Sequence, residues 1–183
     1  MSSIAPCKIV IAGDGGTGKS TLITSKNTGK FKLGSNITIG VDFACMDIAF
    51  RESKYPFLIY DLGGQQRFQF LHDSYITGTK GAIVLYDLTR EKTFDNISTW
   101  LALLHKENPS MPILLAGSKC DLVQPEDISA FKKRWNTLFR SQAPKSNVIG
   151  HHFISSKSFE GIEDLFTKIA NEVLPSFLPV SCA

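Results

Sequence analysis

Apolar residues in this chain fall into short unbroken runs and into helical stripes, and the two kinds take turns from one end to the other. Lys8-Ile9-Val10-Ile11-Ala12 reads as a strand buried on both faces, and residues 19–26 predict a helix. Residues 27–40 are polar and turn-rich, the composition of a surface loop. Two extended runs follow, residues 42–50 and 55–61, joined by Arg51-Glu52-Ser53-Lys54, a connection short enough for an antiparallel hairpin. Pro56 is expected to open the second strand, because proline cannot donate to a ladder. Residues 62–70 are rich in Gly and Gln, and an apolar strand is predicted over 81–86.

The next helix carries Phe94, Ile97, Trp100, Leu101 and Leu104 on one face, at close to the 3.6-residue period of a core-facing helix. Residues 113–117 form a fully apolar strand. Ile128, Phe131, Trp135, Leu138 and Phe139 line a further helix that Pro144 closes. A last strand is expected at 148–154, and a closing helix with Ile162, Leu165, Phe166, Ile169 and Val173 inward, ended by Pro175. This order describes an α/β fold: a mostly parallel sheet with one antiparallel edge strand and helices on both faces. In such sheets ligands sit beyond the carboxyl ends of the strands.

Composition narrows the class. A length of 183 residues suits one domain, with a core over about 8–174, and 43% hydrophobic with 20% charged residues is an ordinary globular balance. A net charge of +3 with scattered basic residues gives no reason to expect nucleic acid as a partner. Cys7, Cys45, Cys120 and Cys182 lie far apart, which suggests neither a zinc site nor a disulfide framework and fits a reducing compartment. With neither a signal-type stretch nor a membrane-length apolar run, the expected location is cytoplasmic.

The chemistry begins at Gly13-Asp14-Gly15-Gly16-Thr17-Gly18-Lys19-Ser20, which fits Gly, four free positions, then Gly-Lys-Ser. Glycines there let successive N–H groups face inward and cradle phosphate, with a helix N-terminus behind them. Lys19 would reach the terminal phosphates, and the Ser20 hydroxyl would be a Mg²⁺ ligand. Asp61-Leu62-Gly63-Gly64-Gln65 sets a carboxylate at a strand end for the same metal, a Gly64 N–H for the last phosphate and Gln65 to orient an attacking water. Thr38 offers a second hydroxyl to the metal. In Gly117-Ser118-Lys119-Cys120-Asp121, Asp121 can accept from the N1–H and amino group of guanine while the Lys119 stem covers the base plane. Backbone N–H groups of Ser155-Ser156-Lys157 can donate to the guanine carbonyl, although Ser155 also reads as a helix cap.

Taken together these strings resemble a small GTPase of the Ras superfamily from Lys8 to Leu174. Thr38-Ile39-Gly40-Val41-Asp42-Phe43, Gln66-Arg67-Phe68 and the Trp100 helix look most like the Rab branch, while Asp61-Leu62-Gly63-Gly64-Gln65 is closer to Arf and Ras-like archaeal forms. The resemblance implies a G domain that binds GTP or GDP with Mg²⁺, hydrolyses GTP slowly and switches loop conformation, in the service of signalling or vesicle trafficking. It places Gly15, Gly16, Thr17, Gly18, Lys19, Ser20 and Thr21 on the phosphates and Phe31 against the base edge. Ser20, Thr38 and Asp61 fall to the metal, and Gln65 to the water. Effectors would read Ile39 to Phe43 and Arg67 to Tyr75, and an activating protein and an exchange factor are implied for a monomer. No arginine of the chain is expected to act in cis.

Two positions depart from the family pattern. Ser118 stands where relatives carry Asn, which predicts a weaker grip on nucleotide, and Ser35 stands where many carry a tyrosine over the phosphates. Cys182 is followed by one residue and is not in a C-a-a-X box, so peripheral membrane association is left open. Two other readings remain: a nucleotide-gated scaffold with negligible hydrolysis, and an ATP-dependent phosphotransferase that uses the same loop.

Overall fold

In a computed structural model, residues 5–33, 38–64, 72–142 and 147–178 are described. They build one six-stranded sheet from β1 (Cys7–Ala12), β2 (Val41–Phe50), β3 (Ser53–Leu62), β4 (Gly81–Asp87), β5 (Ile113–Ser118) and β6 (Val148–Ile154). The spatial order is β2-β3-β1-β4-β5-β6, and only the edge strand β2 runs antiparallel, in the hairpin with β3. Helices α1 (Lys19–Thr28), α2 (His72–Ile76), α3 (Glu91–Asp95), α4 (Ile97–Glu107), α5 (Pro125–Gln142) and α6 (Ile162–Phe177) complete the expected alternation. Because the chain leaves β1 toward β3 on one side and β4 on the other, the switch point of the sheet lies just beyond β1.

Alternation along each strand divides the core in two. Ile9, Ile11, Ile83, Leu85, Leu114 and Ala116 face one way and meet Leu22 of α1 and Leu165, Phe166 and Ile169 of α6. Val10, Ala12, Ala82, Val84, Tyr86, Ile113 and Leu115 face the other way and meet Phe94, Ile97, Trp100, Leu101 and Leu104. Covering both faces explains why β4 and β5 read as unbroken apolar runs. Each Ile or Leu sealed this way contributes about 1.5–3 kcal/mol, so the sheet is a stiff base for the loops at its carboxyl edge.

Three expectations are corrected. The stripe from Phe94 to Leu104 is two helices with a break at Asn96, whose αR backbone keeps them in line while its side chain turns to the phosphate loop. Pro175 does not end α6: the helix runs on to Phe177, because one missing N–H removes a single bond and the Leu178 N–H still reaches the Leu174 carbonyl. Pro56 lies inside β3, opposite Asp47 and one residue before the pairing with β1 begins at Phe57. Pro144, and the side chains of Leu138 and Phe139, lie outside the described residues.

Candidate nucleotide site

The turn after β1 can only be glycine where it crosses β4. Gly13 has φ 135°, and a Cβ there would stand 2.1 Å from the Leu85 carbonyl oxygen. Gly16 and Gly18 are also left-handed, and Gly18 is the residue from which α1 starts. For the loop N–H groups to face an anion, its carbonyls must face away. Each of five successive carbonyls has a donor. Lys19 Nζ donates to Gly13 O at 2.7 Å and Asp14 O at 2.9 Å. Arg90 Nη2 donates to Gly15 O at 3.0 Å, Lys119 Nζ to Gly16 O at 3.1 Å and Ser118 Oγ to Thr17 O at 2.7 Å. The Asp14 carboxylate is held from the opposite side by Trp100 Nε1 at 2.9 Å and Asn96 Nδ2 at 2.7 Å. Burial lowers the Lys19 ammonium to about 8, against the attraction of Asp61 and Asp14, so an anion brought to the loop would hold its charge in place.

Ser20, Thr38 and Asp61 meet beside this loop although they come from three separate stretches. Ser20 Oγ lies 2.9 Å from Thr38 Oγ1 and donates to Asp61 Oδ2, and Thr38 Oγ1 donates to the same oxygen at 3.3 Å. Asp61 is 3% exposed, yet its Oδ1 has no hydrogen-bond partner. Burial pushes its carboxyl above the usual range, in spite of the Ser20 bond and the Lys19 charge. Two hydroxyls and one carboxylate with an unfilled oxygen fit a hard, oxygen-seeking cation such as Mg²⁺, which takes one or two carboxylates and leaves other positions to phosphate and water. Gly64 stands against the loop: a Cβ there would be 2.3 Å from Gly15 N. Gly63 N donates to Gly40 O at 2.7 Å and so joins the Thr38 and Asp61 stretches.

A cavity of about 480 Å³ opens from the other side of the loop, within the usual range for small-ligand sites. Gly16, Thr17, Gly18 and Thr21 line its phosphate end. Ser118, Lys119 and Asp121 line its far end with Ser156 and Lys157, and Phe31 closes the edge. Leu33 and Leu122, 90% and 60% exposed, belong to the same wall and went unnoticed in the sequence. Ser155 is not in this lining: it is fully buried, and its Oγ accepts from the N–H groups of Lys157 and Ser158, so it shapes the turn that carries its neighbours. The Ser118 hydroxyl, 4% exposed, shares its one proton between Thr17 O and Tyr86 O.

Sequence reasoning missed Asp87 and Arg90. Asp87 is the last residue of β4, directly opposite Ser118 in the parallel register, where the carboxyl-end rule could have located it. Burial pushes its carboxyl up, but bonds from Lys119, Thr89 and Arg90 outweigh that and hold it below the usual range. Arg90, which the sequence did not single out, reaches the loop at the Gly15 carbonyl. Gln65, Ser35 and residues 67–71 lie outside the described residues.

Next to the Ser20, Thr38 and Asp61 cluster is a patch of exposed apolar side chains. Ile39 and Phe43 are 73% and 68% exposed. Phe43 is 6.4 Å from Tyr60, which is 5.9 Å from Tyr75, and Lys8 Nζ lies 4.4 Å over the Tyr60 ring. Tyr60 is a further member that the sequence did not single out.

A phosphate loop at the switch point, an oxygen cluster fit for a divalent cation and a base-sized cavity define an α/β protein built to hold a nucleoside phosphate. The Ras family model matches residues 8–175. The chain is 33% identical over 174 residues to the Ras-related protein RABA1c of Arabidopsis thaliana, a match spanning 86% of this chain and 81% of that protein. It is 34% identical over 172 residues to the Ras-related protein Rab11B of Nicotiana tabacum, spanning 91% and 74%. The chain belongs to the Ras family and is a Rab-like small GTPase.

Proposed function

We propose that the chain is a molecular switch that binds GTP or GDP with Mg²⁺, hydrolyses GTP, and presents different surfaces to effectors in the two states. The observation that carries this is the phosphate loop itself: Ser20, Thr38 and Asp61 meet and Gly64 packs on one side of it, while on the other side its Gly16, Thr17 and Gly18 line the cavity that also holds Lys119 and Asp121. Asp121 accepts from the guanine edge, Lys119 covers the base, and N–H groups near Ser156 meet the guanine carbonyl. Lys19 and the loop N–H groups absorb charge on the phosphates as a water, oriented by Gln65, attacks the γ-phosphorus in line. The bond to the β,γ-bridging oxygen breaks, leaving GDP and inorganic phosphate. Bound Mg²⁺, which Ser20, Thr38 and Asp61 would hold, would supply further charge neutralisation there.

Loss of the γ-phosphate would release the Thr38 and Gly64 stretches, which share the Gly63–Gly40 bond. Effectors would read Ile39 to Phe43 and Arg67 to Tyr75, and an exposed aromatic patch of this kind is otherwise costly to leave in water. An activating protein and an exchange factor would set the timing for a cytoplasmic monomer that can also work at a membrane surface; no helix of the described residues is long and apolar enough to cross one. Single-turnover GTP hydrolysis by the purified protein, with and without cell extract, tests the reading. Phosphate release stimulated by extract is expected, and none in either case would leave only a nucleotide-gated scaffold. ATP competing as well as GTP for the site would instead favour a phosphotransferase.

A further inference from the structure

Asp87 is fully buried, and its carboxylate is completely used. Thr89 N and Oγ1 donate to Oδ1 at 2.9 and 2.7 Å, while Arg90 Nε and Lys119 Nζ donate to Oδ2 at 2.8 and 2.6 Å. Both of these cations then reach past Asp87 to the phosphate loop, Lys119 to the Gly16 carbonyl and Arg90 to the Gly15 carbonyl. The backbone of Arg90 is fixed as well: its N–H donates to Asp87 O and its carbonyl accepts from Thr93 N, both at 2.9 Å. Its guanidinium lies flat enough on the loop that a Cβ at Gly16 would meet Nη2 at 3.4 Å.

A Gly-Gly pair is the part of the loop whose peptide planes turn over most easily, since no Cβ restricts either residue. A plane turned over would aim a carbonyl at the phosphates where an N–H is needed. Ser118 fixes only the next carbonyl, Thr17, and does so with a proton shared with Tyr86 O. We propose that Arg90, aligned by Asp87, is a positioning residue that locks the Gly15 peptide in its phosphate-facing orientation and thereby slows nucleotide release. The planar fork of arginine suits the task, because Nε and Nη2 hold the carboxylate and the carbonyl at once. Arg90 makes up on the phosphate side for the single shared proton at Ser118. This rests on the nucleotide reading above.

The side chain of Arg90 is 45% exposed, and Asp87 keeps its Lys119 and Thr89 donors while a Gln at 90 can still donate to it, so Arg90→Gln leaves the core packing intact. The test is the release rate of fluorescently labelled GDP and GTP from the Mg²⁺-loaded protein, together with the melting temperature of the nucleotide-free protein. Arg90→Gln should release both nucleotides roughly tenfold faster, the loss of one charge-assisted bond. Its nucleotide-free melting temperature and its preference for guanine over adenine should stay at wild-type values. Arg90→Lys keeps the charge without the fork and should recover only part of the rate. Release from Arg90→Gln at the wild-type rate overturns the proposal, and so does faster release accompanied by an equal loss of nucleotide-free stability in both variants. A wild-type protein that retains no guanine nucleotide would instead bring down the underlying reading, and the two failures are told apart by that control.

Discussion

Gly64→Ala separates the two nucleotide states. A Cβ at residue 64 would lie 2.3 Å from both Asp14 C and Gly15 N and 2.6 Å from Gly13 O, against 3.4–4 Å for an ordinary contact. Something must withdraw by about 1 Å, and that far exceeds what close-packed backbone absorbs in place. The phosphate loop is the stiffer side, since its carbonyls are held by Lys19, Arg90, Lys119 and Ser118. Among the described residues the Gly64 stretch is tied to its neighbours by the Gly63–Gly40 bond, and it is the side expected to move. Contacts to the first two phosphates then survive while the Gly64 N–H loses the third. A hydrogen bond to a charged group is worth about 1.5–3 kcal/mol, which corresponds to roughly a ten- to hundredfold loss. Equilibrium binding of fluorescent GDP and of a non-hydrolysable GTP analogue measures it. GDP affinity should stay within about threefold of wild type while the analogue weakens by the full factor. An equal loss for both nucleotides would mean that the phosphate loop itself yields, and no loss for either would mean that Gly64 does not face the last phosphate.

Further outcomes follow from the core and the exposed patch. His151 is half-buried, stacked between Tyr86 and Trp135 with Nε2 2.7 Å from the Tyr86 hydroxyl, and loss of solvent there, with the charges of His152 and Lys132, lowers its pKa to about 4. Its folded value lies below its unfolded one, so its contribution is present above about pH 6.5 and is lost as the pH falls toward 4. Urea titrations should show a loss of about 2 kcal/mol between pH 8 and pH 5, and that part should vanish in His151→Gln. Gly117→Ala would bring a Cβ to 2.7 Å from the Tyr86 hydroxyl oxygen; overpacking beside a buried ring should cost about 1–3 kcal/mol by chemical denaturation, and a cost under about 0.5 kcal/mol would refute that reasoning. Phe43→Ala should leave stability within about 0.5 kcal/mol, because the ring is 68% exposed. The same change should weaken a partner that binds only the GTP form by about thirtyfold in a pull-down titration; unchanged capture would remove this patch from the effector surface.

The phosphate loop was legible because its glycines are a local necessity: the backbone at Gly13 crosses Leu85 with no room for a Cβ, and spacing records that directly. Strands β4 and β5 were legible because burial on both faces leaves unbroken apolar runs. The carboxyl-end rule then pointed to Asp61, Ser118 and Ser156 without any contact being known. Asp87 and Arg90 were not legible in the same way, since their roles depend on the register that sets Asp87 opposite Ser118 and on a side chain folding back across 75 positions to Gly15. Nor could the sequence say that the Ser118 hydroxyl is spent on Thr17 and Tyr86. Hydrophobic period and glycine spacing report the conformation of a chain with itself over a few residues. Who donates to whom at the carboxyl edge is decided only when distant strands lie side by side, because a hydrogen bond is fixed by distance and direction in space and leaves no periodic trace in the order of the residues.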